Sequence, residues 1–116
     1  MIYVCLVIVS PSFRDDKHYI LLTDNNQLPV KDKGNQTIRE VSDALLEASI
    51  AQFRDWVQLT QKPIHENETA IFIPFFTYLC KDIVQIKGGY KWVPIEQTKD
   101  FSQDYLSIVL AATKSL

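Results

Sequence analysis

The feature that most constrains the fold is an unbroken apolar run near the start of the chain, Ile2–Val9. The run is rich in β-branched residues and shows no alternation with polar residues, which is typical of a strand covered on both faces. It is far shorter than the roughly 20 residues of a membrane-spanning helix. It also has neither the basic start nor the cleavage site of a signal peptide. The run therefore predicts a buried strand.

The rest of the first half predicts a hairpin and then a helix. His18–Thr23 is a second strand, and Asp24-Asn25-Asn26 ends it because Asp and Asn tolerate left-handed backbone. Thr37 and Glu40 have the spacing of a capping box, so a helix is predicted to begin there and to run to about 51–54. Its apolar face is marked at intervals of three and four by Ile38, Val41, Leu45 and Ala48.

The second half is read mainly as extended segments. Ala70–Cys80 is strongly strand-like, but Pro74 splits it and predicts an edge position or a bulge. Ile83–Ile86 is predicted as a short strand, and Gly88-Gly89 as a turn that leads into the extended segment Tyr90–Ile95.

Three further segments complete the order of elements. Trp56–Leu59 fits either a last helical turn or a new strand, and Ile64–Thr69 is a polar connection. Ser102–Lys114 predicts a terminal helix with Leu106, Val109, Leu110 and Thr113 on one side. The predicted order is β-β-(β)-α-β-β-β-α, in one domain that spans residues 1–116.

Composition narrows the class of protein. A hydrophobic content of 47% and a charged content of 22% are typical of a globular domain. The net charge of -2 argues against nucleic-acid binding, which normally needs a basic excess. Cys5 and Cys80 both lie in apolar runs, which predicts free, buried thiols and a reducing, cytoplasmic compartment. A structural zinc site is not expected, because the sequence has no CxxC motif or Cys/His cluster.

Three local sequences, taken with this order of elements, resemble the Nudix hydrolase family. Gln27-Leu28-Pro29 stands where the family has Leu-Pro-Gly-Gly, Arg39–Ala44 is similar to its Arg-Glu-Leu-x-Glu-Glu helix, and Tyr90–Ile95 is similar to a late Trp-hydrophobic-Pro-hydrophobic stretch. The resemblance implies an α/β/α sandwich with a mixed, mainly antiparallel sheet and two principal helices. The chain departs from the family pattern at Lys31 and Ala44, each of which stands in place of a Glu.

The resemblance also implies where Mg²⁺ would bind. In the family, carboxylates of this helix hold Mg²⁺, which neutralises a diphosphate and orients a water molecule. The corresponding catalytic and metal-binding candidates are Glu40, Asp43 and, in a second register anchored on Gly34, Glu47. Residues three or four apart on a helix are neighbours, with about 5–6 Å between Cβ atoms. The competing interpretation is that all three are surface acids, with Glu40 acting as a cap and Asp43 paired with Arg39.

Aromatic residues are the candidates for ligand contacts. Phe72, Phe76 and Tyr78 share one side of their predicted strand by alternation. A ring that borders a cleft can stack on a nucleobase or seat a partner's side chain. The candidate ligand-binding residues are Arg39, Tyr3, Phe76, Tyr78 and Trp92. His65, in a polar loop, is predicted to be exposed.

These observations favour a catalytically impaired Nudix-like module that binds a nucleotide or a protein partner. Its site would lie between the first helix and the sheet, and no cofactor is firmly implied. The first alternative is a Mg²⁺-dependent hydrolase of nucleoside-diphosphate-linked compounds. The second is an interaction domain of another family, such as a profilin-like adaptor. A homodimer is compatible with so apolar a sheet, and no membrane partner is expected.

Overall fold

A computed structural model describes residues 1–12, 14–51 and 57–114 of the chain. Seven strands, two α-helices and one 3₁₀ helix follow one another within those residues. In chain order they are β1 (Ile2–Pro11), β2 (His18–Thr23), β3 (Val30–Asp32), α1 (Ile38–Ser49), β4 (Thr60–Gln61), β5 (His65–Glu66), β6 (Ile71–Tyr78), β7 (Tyr90–Pro94), the 3₁₀ helix (Ile95–Asp100) and α2 (Gln103–Thr113).

The strands form one mixed sheet, as predicted. Its order is β4-β6-β1-β2-β7, with β3 also paired to β1 and β5 also paired to β6. The β1–β6 pair is parallel, and the other pairs are antiparallel. β1 has β6 along one side, and on the other side β2 pairs with its second half and β3 with its first. β1 is therefore the central strand.

Residues of β1 alternate between two hydrophobic cores, one on each face of the sheet. Val4, Leu6 and Ile8 pack in the core under α1, together with residues such as Val41 and Leu45 of that helix. The intervening β1 residues pack in the core under α2; they are Cys5, Val7 and Val9. The molecule is therefore an α/β/α sandwich, and the prediction of a strand covered on both faces is confirmed.

α1 begins as the sequence predicts and ends slightly earlier. The Thr37 hydroxyl accepts a hydrogen bond from the backbone N–H of Glu40 at 3.1 Å, and the Glu40 carboxylate accepts one from the backbone N–H of Thr37. The helix ends at Ser49, because Ile50 has extended backbone and forms a β-bridge with Ile86. Residues 52–56 lie outside the described residues. They include Trp56, the first residue of the segment for which the sequence allowed either a last helical turn or a new strand.

The capping box gives a stability prediction. Replacing Thr37 with Ala should lower the free energy of unfolding by about 1 kcal/mol, because the Glu40 N–H loses its hydrogen-bond acceptor. Replacing Glu40 with Gln should have little effect, because glutamine also completes a capping box. Urea denaturation of the two variants measures both values. An equal loss of unfolding free energy in the two variants would show that the charge of Glu40, and not the geometry of the capping box, stabilises this end of α1.

Pro74 lies in the middle of β6, where the sequence predicts a split strand. The strand is continuous, so the predicted split is wrong, but Pro74 is paired with a strand only on the β1 side, which agrees with the predicted edge position. The N–H of Leu79 donates to a carbonyl of β1, so by alternation the nitrogen of Pro74 faces away from β1. On that side β4 and β5 are two separate short strands, and Pro74 contributes only a carbonyl, which accepts from Lys62 N–H at 2.9 Å. The missing N–H of proline therefore costs no sheet hydrogen bond.

Three further sequence interpretations are corrected. The short strand predicted at Ile83–Ile86 is a turn over residues 81–84, and only Ile86 makes a β-bridge. The predicted polar connection before β6 contains a strand, β5. α2 has the predicted extent and a Ser102 cap, but its buried face is rotated from the predicted one. Leu110 is 69% exposed, whereas the buried residues of the helix are Ile108, Val109 and Ala112.

The two α-helices are short. α1 has 12 residues and α2 has 11. Within the described part of the chain, no helix is long and apolar enough to cross a membrane.

Candidate functional site

The acidic residues predicted for Mg²⁺ lie on the outer side of α1. Glu40, Asp43 and Glu47 are all exposed, while the opposite side of the helix packs into the core. The carboxylate of Glu40 is engaged at the helix start, where it accepts a hydrogen bond from the Thr37 hydroxyl at 3.0 Å. Arg39, the basic ligand candidate, is also exposed.

These acids do not fit a magnesium site well. Among the residues that the structure describes, no three or more His, Cys, Asp or Glu side chains come together in a way that could hold a metal ion. Mg²⁺ usually binds through one or two carboxylates together with substrate phosphates, so these exposed acids would need a phosphate of the ligand to complete a site. The space between α1 and the sheet, where the sequence places the site, is filled by core residues such as Val41 and Leu46.

The aromatic candidates fall on both faces of the sheet. Tyr3 stacks on Phe72, and Phe76 packs in the core under α2. Trp92 packs in the other core, under α1. Tyr78 lies at the far end of β6, is 44% exposed, and shares a 3.0 Å hydrogen bond with His18. The structure therefore does not bring the aromatic candidates into one site.

A different set of residues comes together at one end of the sheet. Because β1 is parallel to β6 and antiparallel to β2, β2 runs towards the end of the sheet at which β1 and β6 begin, and β3 pairs with the start of β1 there. β7 is antiparallel to β2, so it also begins at this end. The first turn of α2 contributes Tyr105 to the same region, and this residue lines two separate cavities there.

The larger cavity has an apolar floor and a polar rim, and we call it the amide cavity. Its volume is about 570 Å³. Leu22, Val93, Phe101 and Tyr105 supply the apolar surface, and all of them belong to the core under α2. The polar residues around it are Asn25, Asn26, Gln27, Lys91, Gln97 and Ser102. Carboxamides both donate and accept hydrogen bonds, so this rim suits the edge of a neutral polar ring or a set of hydroxyl groups.

The smaller cavity, of about 440 Å³, is called here the aromatic cavity. Tyr3 and Phe72 line it with their rings stacked at 5.4 Å, and Tyr105 meets Phe72 edge-on at 6.3 Å. Asn67 and Thr69 add polar groups. Aromatic walls with a few fixed polar groups are the usual lining of a small-molecule site.

Tyr105 is the residue that the two cavities share, and we call the two cavities together the groove. Its ring also makes an edge contact with Phe101 at 6.1 Å, so it has an aromatic neighbour in each cavity. Burial raises the pKa of the Tyr105 hydroxyl above its ordinary value. The phenol is protonated at neutral pH, as an ordinary tyrosine is, so its hydroxyl can donate a hydrogen bond.

The start of α2 is held against β5 by three polar side chains, which we call the clasp. His65 Nε2 donates to Asp104 Oδ1 at 2.8 Å, and Asn67 Nδ2 donates to Asp104 Oδ2 at 3.0 Å. The hydrogen bond from His65, followed by that from Asn67, lowers the pKa of the Asp104 carboxyl. The prediction of an exposed loop histidine is wrong, since His65 belongs to β5 and its side chain is only 25% exposed.

The Cys5 thiol is not activated. Cys5 is fully buried, and burial raises the pKa of its thiol to about 12, so it is not ionised at neutral pH. Cys80 is partly exposed, where the sequence predicts a buried residue, and both cysteines are free.

Most residues of the groove were not among the sequence candidates. Tyr3 was one, Phe72 was among the aromatic residues considered for ligand contacts, and Lys91 was considered as a residue that could meet an anion. Nothing in the sequence singled out Phe101 and Tyr105, and Asn25 and Asn26 were interpreted as residues that end a strand in a turn. One signal in the sequence could have indicated the amide cavity. Asn25-Asn26-Gln27 carries three consecutive carboxamides, each of which can donate and accept hydrogen bonds, and a turn can form with fewer of them.

No protein-family model and no curated protein sequence matches the chain. Solved structures of Nudix proteins do match it. The Nudix domain of Shewanella oneidensis NrtR, crystallised with ADP ribose, aligns with a TM-score of 0.73 and 13% identity, over 98% of this chain and 86% of that one. S. oneidensis NrtR gives a TM-score of 0.69 at 13% identity, over 96% of this chain and 60% of NrtR. The C. elegans Ap4A hydrolase gives 0.57 at 14% identity, over 93% of this chain and 85% of that one.

At these identities the likeness is one of fold. It extends over nearly all of this chain, and it agrees with the resemblance found in the sequence. The mixed sheet between α1 and α2 agrees with it as well. The chain therefore has a Nudix-like fold.

Proposed function

We propose that this domain binds a nucleotide-type ligand in the groove and does not hydrolyse it. The observation that carries the proposal is the position of Tyr105 between two cavities, one walled by aromatic rings and the other rimmed by carboxamides. A nucleotide has a flat ring for the aromatic surfaces and hydroxyl groups for the amides. Lys91, in the rim of the amide cavity, supplies a positive charge for a phosphate.

The fold relatives support the same class of ligand. The S. oneidensis NrtR Nudix domain was crystallised with ADP ribose. That compound is therefore the first ligand to test. Binding without hydrolysis is favoured because Glu40, Asp43 and Glu47 stand on the outer side of α1, with the packed core between them and the sheet. The groove, in contrast, lies beside the start of α2.

Calorimetric titration with ADP ribose in EDTA tests the proposal. Binding is expected without added metal, and overnight incubation with Mg²⁺ should leave the ligand intact. Replacing Lys91 with Gln should raise Kd roughly 10- to 150-fold, since a charge-assisted hydrogen bond contributes about 1.5–3 kcal/mol. Lys87→Gln is the matched control, because Lys87 lies on the other side of the Gly88-Gly89 turn and does not line either cavity.

Two results would contradict the proposal. Mg²⁺-dependent cleavage of ADP ribose that disappears in Asp43→Asn or Glu47→Gln would favour the hydrolase. No heat and no thermal shift with ADP ribose, AMP or ADP, together with a stable dimer in light scattering, would favour an interaction domain.

A further inference from the structure

The clasp of His65, Asn67 and Asp104 lies next to the groove but has no role in the proposal above. Asp104 is the second residue of α2, and the next residue is Tyr105, which both cavities share. His65 and Asn67 reach Asp104 from the β5 side of the sheet, across more than 30 positions of sequence. The clasp therefore connects β5 and the residues after it to the first turn of α2, one residue before Tyr105.

The same side chains also contact the aromatic wall. The His65 ring lies 6.1 Å from the ring of Phe72, which stacks on Tyr3 and meets Tyr105 edge-on. Asn67 lines the aromatic cavity. Hydrogen bonds to a charged group are stronger than neutral ones, and Asp104 accepts two of them. The rings of the wall come from three separate elements, and a ring pair adds only about 0.5–1.5 kcal/mol beyond its buried area, so the two hydrogen bonds to Asp104 add a further restraint on the first turn of α2.

We propose that the clasp positions Tyr105 in the groove and thereby sets the affinity of the groove for its ligand. The effect on affinity rests on the proposed function, whereas the effect on Tyr105 does not. His65 and Asp104 are positioning residues, since they act through the first turn of α2, whereas Asn67 both restrains Asp104 and lines the aromatic cavity.

The test uses two independent measurements on Asp104→Ala. In wild type, the edge contacts with Phe72 and Phe101 shift the ring protons of Tyr105 in NMR spectra. Loss of the clasp should move these resonances towards random-coil values. The Kd for ADP ribose should rise roughly tenfold, which corresponds to about 1.4 kcal/mol.

Controls separate positioning from helix stability. Asp104 also lies in the first turn of α2, where a negative charge stabilises the helix by its interaction with the helix dipole. The double variant Gln103→Glu/Asp104→Ala restores an acid in that turn without restoring the clasp, so it should behave like Asp104→Ala. Asn67→Asp keeps the oxygen that accepts from Thr69 and Ala70 but places a like charge against Asp104. It should shift Tyr105 in the same direction, and it replaces Asp104→Ala if that variant does not fold.

Each outcome decides one of the two proposals. Unchanged Tyr105 resonances in Asp104→Ala and Asn67→Asp would overturn the positioning role, whatever the ligand does. Shifted resonances with an unchanged Kd would show that the clasp does not govern binding. Full recovery in the double variant would assign the effect to the helix dipole and overturn the inference. If wild type binds no nucleotide, the proposed function fails and the claim about affinity fails with it, while the NMR measurement still decides whether the clasp positions Tyr105.

Discussion

Replacing Leu6 with Ala will lower the free energy of unfolding by about 2–5 kcal/mol, the usual cost of truncating a large side chain in a packed core. Leu6 is fully buried at the centre of β1, and its backbone is paired with Phe75 of β6. Its side chain belongs to the core under α1. A cavity here is flanked by hydrogen-bonded strands, which cannot collapse to fill it. Urea denaturation at 25 °C measures the change.

Leu110→Ala is the matched control. The chemical change is identical, but Leu110 lies on α2 with 69% of its surface exposed. Alanine also has a slightly higher helix propensity than leucine. The expected change is therefore within about 0.5 kcal/mol. Similar losses of unfolding free energy in both variants would mean that the exposed side of α2 is covered in solution, which would favour the homodimer with which so apolar a sheet is compatible.

The sequence predicted the centre of the fold well because its signals there are local. The run Ile2–Val9 can be covered on both faces only if it lies inside the sheet, and β1 does. Thr37 and Glu40 fix the start of α1 through hydrogen bonds between neighbours in sequence. Such signals do not depend on the rest of the molecule.

The sequence predictions failed where contacts between segments that are distant in the sequence determine the structure. Pro74 is tolerated inside β6 only because β4 and β5 are interrupted opposite its nitrogen, and no pattern around Pro74 reveals this. α2 is apolar on most sides, so its sequence does not define which side is buried. Packing on the sheet selects Ile108 and Ala112 and leaves Leu110 in solvent.

The candidate site was harder to predict for the same reason. The acids of α1 were easy to find because they follow one another at helical spacing, but spacing alone does not show whether a face opens on a cavity. The groove combines the starts of β1 and β6 with the turn after β2 and the start of α2. Tyr3 and Tyr105 are about 100 positions apart in the sequence and line the same cavity.

Replacing Tyr105 with Ala should weaken binding of ADP ribose roughly 5- to 150-fold, since an aromatic ring stacked on a base contributes about 1–3 kcal/mol. The substitution removes the wall common to both cavities and the edge contacts with Phe72 and Phe101. Calorimetric titration gives the Kd. Tyr105→Phe keeps the ring and should retain most of the affinity. Comparing the Kd of the two variants therefore separates the contribution of the ring from that of its hydroxyl group.

Tyr19→Ala is the control for a general loss of packing. Tyr19 is also a partly buried tyrosine, but it lies near the opposite end of the sheet, where its hydroxyl donates to Asp15 at 2.6 Å. Its removal should leave the Kd unchanged, because Tyr19 does not line either cavity. Equal weakening by Tyr19→Ala and Tyr105→Ala would mean that affinity follows overall stability. Full binding by Tyr105→Ala would place the ligand elsewhere on the molecule, and the exposed face of α1 would then be the next surface to test.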